Sequence, residues 1–149
     1  MVLRLVKLSG LEPRDRDRHR IRILQVGERC DVLGELKAWA KSSSDEYKRA
    51  LNGLKRIAAN ENLTTLGTIK RVGDSHQIIQ IAGDSGRLYC FQDDNGNTVI
   101  CVGTFWIGRG DKQDKQNKAI QDAESLMRRW RSAKPVPGVE DLRREPRRK

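Results

Sequence analysis

Residues 78–130 decide the fold: IIQIAGDSGRLYCFQDDNGNTVICVGTFWIGRGDKQDKQNKAIQDAESLMRRW. Asn95-Gly96 lies between two apolar runs and suits a type I′ turn, whose two central residues need positive φ. A two-residue loop pairs positions that sum to 191. Phe91 then faces Ile100, Tyr89 faces Val102 and Arg87 faces Thr104 on one side. Cys90 faces Cys101 on the other, with Leu88, Val99 and Phe105. An earlier strand covers 76–82, HQIIQIA, joined to the hairpin through GDSG. After the hairpin, a polar loop leads to a helix over 114–130. Ile120, Ala123, Leu126 and Trp130 recur there at spacings of three and four and share one face. Pro135 and Pro137 end any continuation.

Upstream, RIRILQV at 20–26 alternates polar and apolar residues and predicts a first strand. Val32, Leu33, Leu36, Trp39 and Ala40 form the apolar stripe of a helix over 29–41, slightly weakened by Gly34. In a second helix, Ser43 stands three residues before Glu46 and fits a capping box. Tyr47, Ala50, Leu51, Leu54, Ile57 and Ala58 form its buried face. ANENLTTLG then reads as a loop. The result is an α+β domain over 20–131: a small antiparallel sheet packed against two N-terminal helices and one C-terminal helix. Residues 1–19, with LEPRDRDRHR and Pro13, read as a charged irregular arm. Residues 132–149 read as a basic, mobile tail of low apolar content. Core candidates are Leu36, Trp39, Leu51, Leu54, Ile57, Ile79, Ile81, Phe91, Ile100, Val102, Leu126 and Trp130. Each such burial contributes about 1.5–3 kcal/mol before chain entropy is subtracted. That is enough for a small domain without disulfide or metal.

The chain has 149 residues and a formal charge of +10. Seven of those net charges lie in residues 1–20 and 131–149, so the central body is only mildly basic. A basic chain favours polyanions, because neutralising phosphates releases counterions. Charge alone does not choose between DNA, RNA and an acidic protein. No apolar run approaches the roughly 20 residues that span a membrane, and no signal-peptide core follows the short apolar start. A cytoplasmic protein is expected. Three cysteines do not make a secreted disulfide framework. Two histidines without a CxxC pair argue against a zinc site.

No GxSxG, Walker loop or HExxH is present. Asp93 and Asp94 precede the NG turn and are read as turn chemistry, not as metal ligands. What the sheet does collect is cations near its edges. Lys70, Arg71 and His76 precede or open one strand. Arg87 and Tyr89 lie on one face of the hairpin. Arg109, Lys112, Gln113 and Lys115 follow the last strand. Such a set suits metal-free RNA cleavage by the RNA's own 2′-hydroxyl. That reaction needs a base, charge stabilisation at phosphate, and an acid for the leaving oxygen. Lys or His serves as base or acid when its pKa is tuned. Arg suits phosphate because it stays charged and binds bidentately. Tyrosine orients or stacks on a base. Arg87, Lys112, His76 and Tyr89 are therefore the catalytic candidates, and Lys70, Arg71, Arg109, Gln113 and Lys115 the RNA-binding ones. No cofactor is implied.

Over residues 20–130 the pattern resembles the RelE/ParE superfamily of type II toxins, nearest its HigB-like, phage-protein-like branch. SGRLYCFQDDNGNTVICVGTFW resembles that family's arginine-bearing strand, turn and apolar strand ending in an aromatic. RGDKQDKQNKAIQDAESLMRRW resembles its polar, lysine-containing segment and closing helix. The helix pair at 29–59 occupies the expected place. The resemblance implies a ribosome-dependent mRNA endoribonuclease that inhibits translation, neutralised by a cognate antitoxin protein. It places Arg87 as the phosphate-holding strand arginine. Lys112 and Gln113 fall where the family carries a lysine-rich run, and Lys70 and Arg71 lie near its loop cations. Two features depart from the pattern. Gln80 stands nearest the place of an expected strand arginine, and Ile107, Gly108 and Arg109 separate the aromatic strand from Lys112. A gyrase-inhibiting toxin of the same superfamily and a catalytically degenerate nucleic-acid-binding or regulatory module remain alternatives. The terminal segment RREPRRK is expected to add nonspecific rRNA or mRNA contact.

Overall fold

The computed structural model describes residues 1–8, 19–59, 68–93, 98–108 and 113–146. Along the chain these form β1 (Val2–Lys7), β2 (Arg20–Val26), α1 (Asp31–Ser42), α2 (Ser44–Ala58), β3 (Ile69–Val72), β4 (Ile78–Ala82), β5 (Gly86–Gln92), β6 (Thr98–Trp106), α3 (Gln113–Ser132), β7 (Lys134–Val136) and β8 (Val139–Arg144). The strands make one sheet in the order β3-β4-β5-β6-β2-β1-β8-β7. Neighbours are antiparallel except β2 and β6, which run parallel.

Helices cover both faces of this sheet. Val32, Leu36 and Trp39 of α1 and Ala50, Leu54 and Ile57 of α2 pack on Ile21, Ile23, Ile79, Ile81, Leu88 and Val99. On the other face Ala123, Met127 and Trp130 of α3 pack on Leu5, Leu24, Ile78, Tyr89, Phe91 and Ile100. The middle strands are thus buried on both sides, which is why IIQIA and VICV read as near-continuous apolar runs. Most core candidates are buried as expected; Leu51 and Leu126 are half-buried at the margins.

The α+β class is as expected, but the arrangement differs from the sequence reading in four ways. The sheet has eight described strands and is mixed, not small and wholly antiparallel, and α3 is followed by two more strands. Residues 1–8 are not part of an irregular arm: β1 alternates, with Leu3 and Leu5 buried and Arg4 and Lys7 exposed, while residues 9–18 of the expected arm lie outside the described residues. The tail also folds. Arg143 lies 4.2 Å from the Trp130 ring centroid and donates to the Trp130 carbonyl at 2.9 Å. Arg129 Nε donates to Glu145 Oε1 at 2.6 Å, and the Glu145 N–H donates to the Met1 carbonyl at 3.0 Å. Cation–π and ionic contacts dock this segment, and apolar content does not register them. Lastly, Ser43 makes no side-chain cap to α2, and Glu46 points away from its own helix start.

The hairpin register is partly as expected. Phe91 pairs with Ile100 and Cys90 with Cys101; the two cysteines are buried free thiols. Between Tyr89 and Cys90 the ladder shifts by one, so Tyr89 pairs with Gly103 and Arg87 with Phe105. A bulge moves every later side chain of the bulged strand to the other face. Phe105 therefore joins the α3 core, and Trp106 turns toward Trp39 of α1, with ring centroids 5.6 Å apart. The Asn95-Gly96 turn and the loop at 60–67 lie outside the described residues.

Candidate functional site

The site is built on the turn between β4 and β5. Gly83 N–H donates to the Gly86 carbonyl at 2.9 Å and closes that turn. The buried Glu46 of α2 then clamps it. Its Oε1 accepts from Ser85 N–H at 3.0 Å and its Oε2 from Gly86 N–H at 3.1 Å. Arg49, one helical turn on, reaches Glu46 at 3.6 Å and Asp84 at 2.8 Å. Both corners are close: a Cβ at Gly83 would collide with the Glu46 carboxylate, and one at Gly86 would lie 3.1 Å from the Trp39 ring, a tight fit.

The clamped turn holds Arg87. Its Nη1 donates to the Gly83 carbonyl at 2.7 Å and to the Gly86 carbonyl at 3.0 Å. The side chain is half-buried, and its other N–H groups make no hydrogen bond with the described residues. A guanidinium fixed through one nitrogen and open through the rest is organised to receive an anion.

Strand register brings other candidates to the same face. Lys70 pairs with Gln80, Gln80 with Tyr89, and Tyr89 with Gly103, a row running inward from the sheet edge. Lys70 is exposed, and Gln80 is buried. Gln116 of α3 donates from Nε2 to Gln80 Oε1 at 3.1 Å, closing the row from above. Tyr89 is 0% exposed, so its ring presents no face to a base. Burial raises its pKa, against the opposing pull of the Gln116 side chain and the Arg87 charge. Its hydroxyl makes no hydrogen bond of good geometry; Gln116 lies near it but is directed to Gln80.

Other candidates lie elsewhere. Arg71 pairs with Ile79 and so points to the α1–α2 face. His76 is exposed in the turn before β4, with φ 55. Arg87 pairs with Ala82 at the far end of that strand, so six residues, or about 20 Å of extended chain, separate the two. One site does not contain both. Gln113 is exposed at the start of α3 and donates to Asn117 at 3.2 Å, and Lys115 is exposed about two turns before Ala123, the first buried residue of α3. Arg109 and Lys112 lie outside the described residues.

Sequence reasoning missed Glu46 as the clamp, reading it as a helix cap. The available signal was the pair of glycines in GDSG, which marks close backbone approach. It also missed Gln116. Among the described residues no cluster of three His, Cys, Asp or Glu is placed to hold a metal, and no helix is long and apolar enough to cross a membrane. A separate cleft of about 500 Å3 opens between α3 and the sheet, with Leu24, Val102, Gly103 and Leu126 in its lining. Its rim charges are answered locally, Arg29 by Asp31 and Arg129 by Glu145.

No family model, curated protein or solved structure matches this chain.

Proposed function

We propose that the protein is a type II toxin of the RelE/ParE superfamily, nearest the HigB-like branch, that cuts mRNA on the ribosome without a metal and is neutralised by a cognate antitoxin. The observation that carries this reading is Arg87. Its guanidinium is tied to two turn carbonyls and open on its remaining side, on the sheet face that also carries Lys70 and Gln80. Arg87 receives the scissile phosphate and offsets charge as the 2′-oxygen attacks. Lys112 follows within a few residues of the strand paired with Arg87 and supplies a second cation or the proton donor.

Induced expression of the chain tests this, with primer extension on several translated mRNAs beside an Arg87→Ala, Lys112→Ala double variant. The expected outcome is growth arrest with discrete cuts inside reading frames. In the variant, cutting falls about a hundredfold or more, the usual loss when a preorganised donor at developing charge is removed. Arrest without cuts overturns the ribonuclease reading.

One feature favours a second reading. Tyr89 and Gln80 are buried under α3, and Gln80 stands near the place of an expected arginine. A superfamily member that binds nucleic acid or gyrase without cleaving RNA would carry such a face. No arrest, or arrest with intact mRNA, selects it.

A further inference from the structure

At one end of the sheet, β1, β8 and β7 form a wing. Paired residues on neighbouring strands point to the same face, and alternate residues to opposite ones. Arg144 pairs with Val2 on one side and Lys134 on the other, and Arg4 pairs with Leu142. Leu3 and Leu5 are buried beneath α3, and Arg143 stacks on Trp130 of the same helix. Arg4, Arg144 and Lys134 therefore share the opposite face, on three adjacent strands spanning about 10 Å.

All three are exposed, and none makes an ion pair with a described residue. That sets them apart from Arg20, Arg22, Arg29, Arg49, Arg129 and Arg143, each of which meets a carboxylate. Lys134 and Arg144 also line, with Pro135, Val136, Pro137 and Pro146, a hollow of about 570 Å3 at the edge of this wing. Glu145, the acid in that lining, is bonded to Arg129.

We infer that this wing is a second RNA contact, in which Arg4, Lys134 and Arg144 neutralise successive phosphates of a single strand and the proline-lined hollow takes a base or ribose. Single-stranded RNA as the occupant rests on the proposed function; the cationic face itself does not. Unpaired cations on an open sheet release counterions when phosphate arrives, with no internal ion pair to break first. Prolines and valine offer rigid apolar surface to a ring without hydrogen-bond readout, so the contact is insensitive to sequence. It lies apart from the Arg87 turn, since three strands, β6, β2 and β1, stand between β5 and β8 in the sheet order.

The test is fluorescence anisotropy with a labelled single-stranded 2′-O-methyl oligonucleotide, which lacks the 2′-hydroxyl nucleophile and so reports binding alone. Wild type is compared with an Arg4→Gln, Lys134→Gln, Arg144→Gln variant across salt concentrations, after thermal melts show equal folding. Each lost phosphate contact on a single strand reduces the steepness of log K against log salt by about 0.7. The variant is therefore expected to lose about 2 from that slope and to bind about tenfold or more weakly at low salt. A control with Lys37→Gln, Lys41→Gln and Lys48→Gln removes the same charge from exposed helix positions and is expected to keep the wild-type slope.

Equal losses in both variants, or no loss in the wing variant, overturn the inference. So does displacement of the probe by polyglutamate as readily as by polyuridine, which marks a surface for acidic proteins. Wild-type cleavage in cells with an unchanged slope removes the wing and leaves the ribonuclease. Wing-dependent binding with no cleavage leaves the wing and removes the ribonuclease.

Discussion

At the scale of the residue, two buried carboxylates each hold a turn by its backbone. Glu46 holds the turn that positions Arg87. Glu124 does the same between β3 and β4, accepting from Asp74 N–H at 3.2 Å and Ser75 N–H at 2.9 Å. Gly73, with φ +82, leaves room for it; a Cβ there would lie 2.6 Å from Glu124 Oε1. Burial pushes the Glu124 pKa up, but the Ser75 and Asp74 hydrogen bonds and the Arg128 charge outweigh it and hold the group below its ordinary 4.5. A depressed folded pKa means that the stabilisation is complete above about pH 4.5 and is lost as pH falls through the lower folded value. Glu124→Gln is therefore expected to cost about 1.5–3 kcal/mol at pH 7. The gap from wild type should narrow toward pH 3. Urea melts at both pH values check this, and a gap independent of pH would refute it.

At the scale of the element, Gly53 shows packing overriding propensity. It lies inside α2, where alanine is favoured over glycine by about 1 kcal/mol. A Cβ there would sit 2.6 Å from Ile81 Cγ2 of β4. Ile81 is buried and branched, so it has little room to yield. Gly53→Ala is expected to destabilise by about 1–3 kcal/mol, the usual cost of overpacking. Thermal denaturation reads the sign directly, and a stabilised variant would show that α2 slides freely on the sheet. The same element shows what periodicity conveys. The Ala50, Leu54 and Ile57 stripe was legible because helix geometry repeats locally. The partner of Glu46 was not legible, because Ser85 and Gly86 are about forty residues away. The bulge between Tyr89 and Cys90 was likewise hidden, since Leu88 faces Gly103 in the regular register and Thr104 in the shifted one, and neither carries a hydropathy signal that selects between them.

At the scale of the whole molecule, the two ends of the chain fold onto each other. β8 pairs with β1, Arg143 stacks on Trp130, and Arg129 joins Glu145. Removing residues 139–149 deletes all three contacts and uncovers the edge of β1. The truncated chain is expected to lose about 2–4 kcal/mol, from one cation–π contact, one partly buried ion pair and a strand's worth of pairing. Hydrogen exchange should show faster exchange at Leu3 and Leu5. A tail that was only mobile would leave both readouts unchanged.

Local pattern alone determined the helices, β2, β4, and the pairing of β5 with β6 near the NG turn, because each depends on residues close in the chain. It also marked Arg87 as an arginine on a hairpin face. Tertiary structure decided the rest. It placed α3 opposite α1 and α2, buried Tyr89 beneath Gln116, set His76 and Arg87 at opposite ends of β4, and drew both chain ends into the sheet. The physical reason is distance along the chain. Arg143 is held by contacts that its segment's own hydropathy does not encode: its charge lies over the Trp130 ring, and a backbone ladder pairs it with Leu3, 140 positions away.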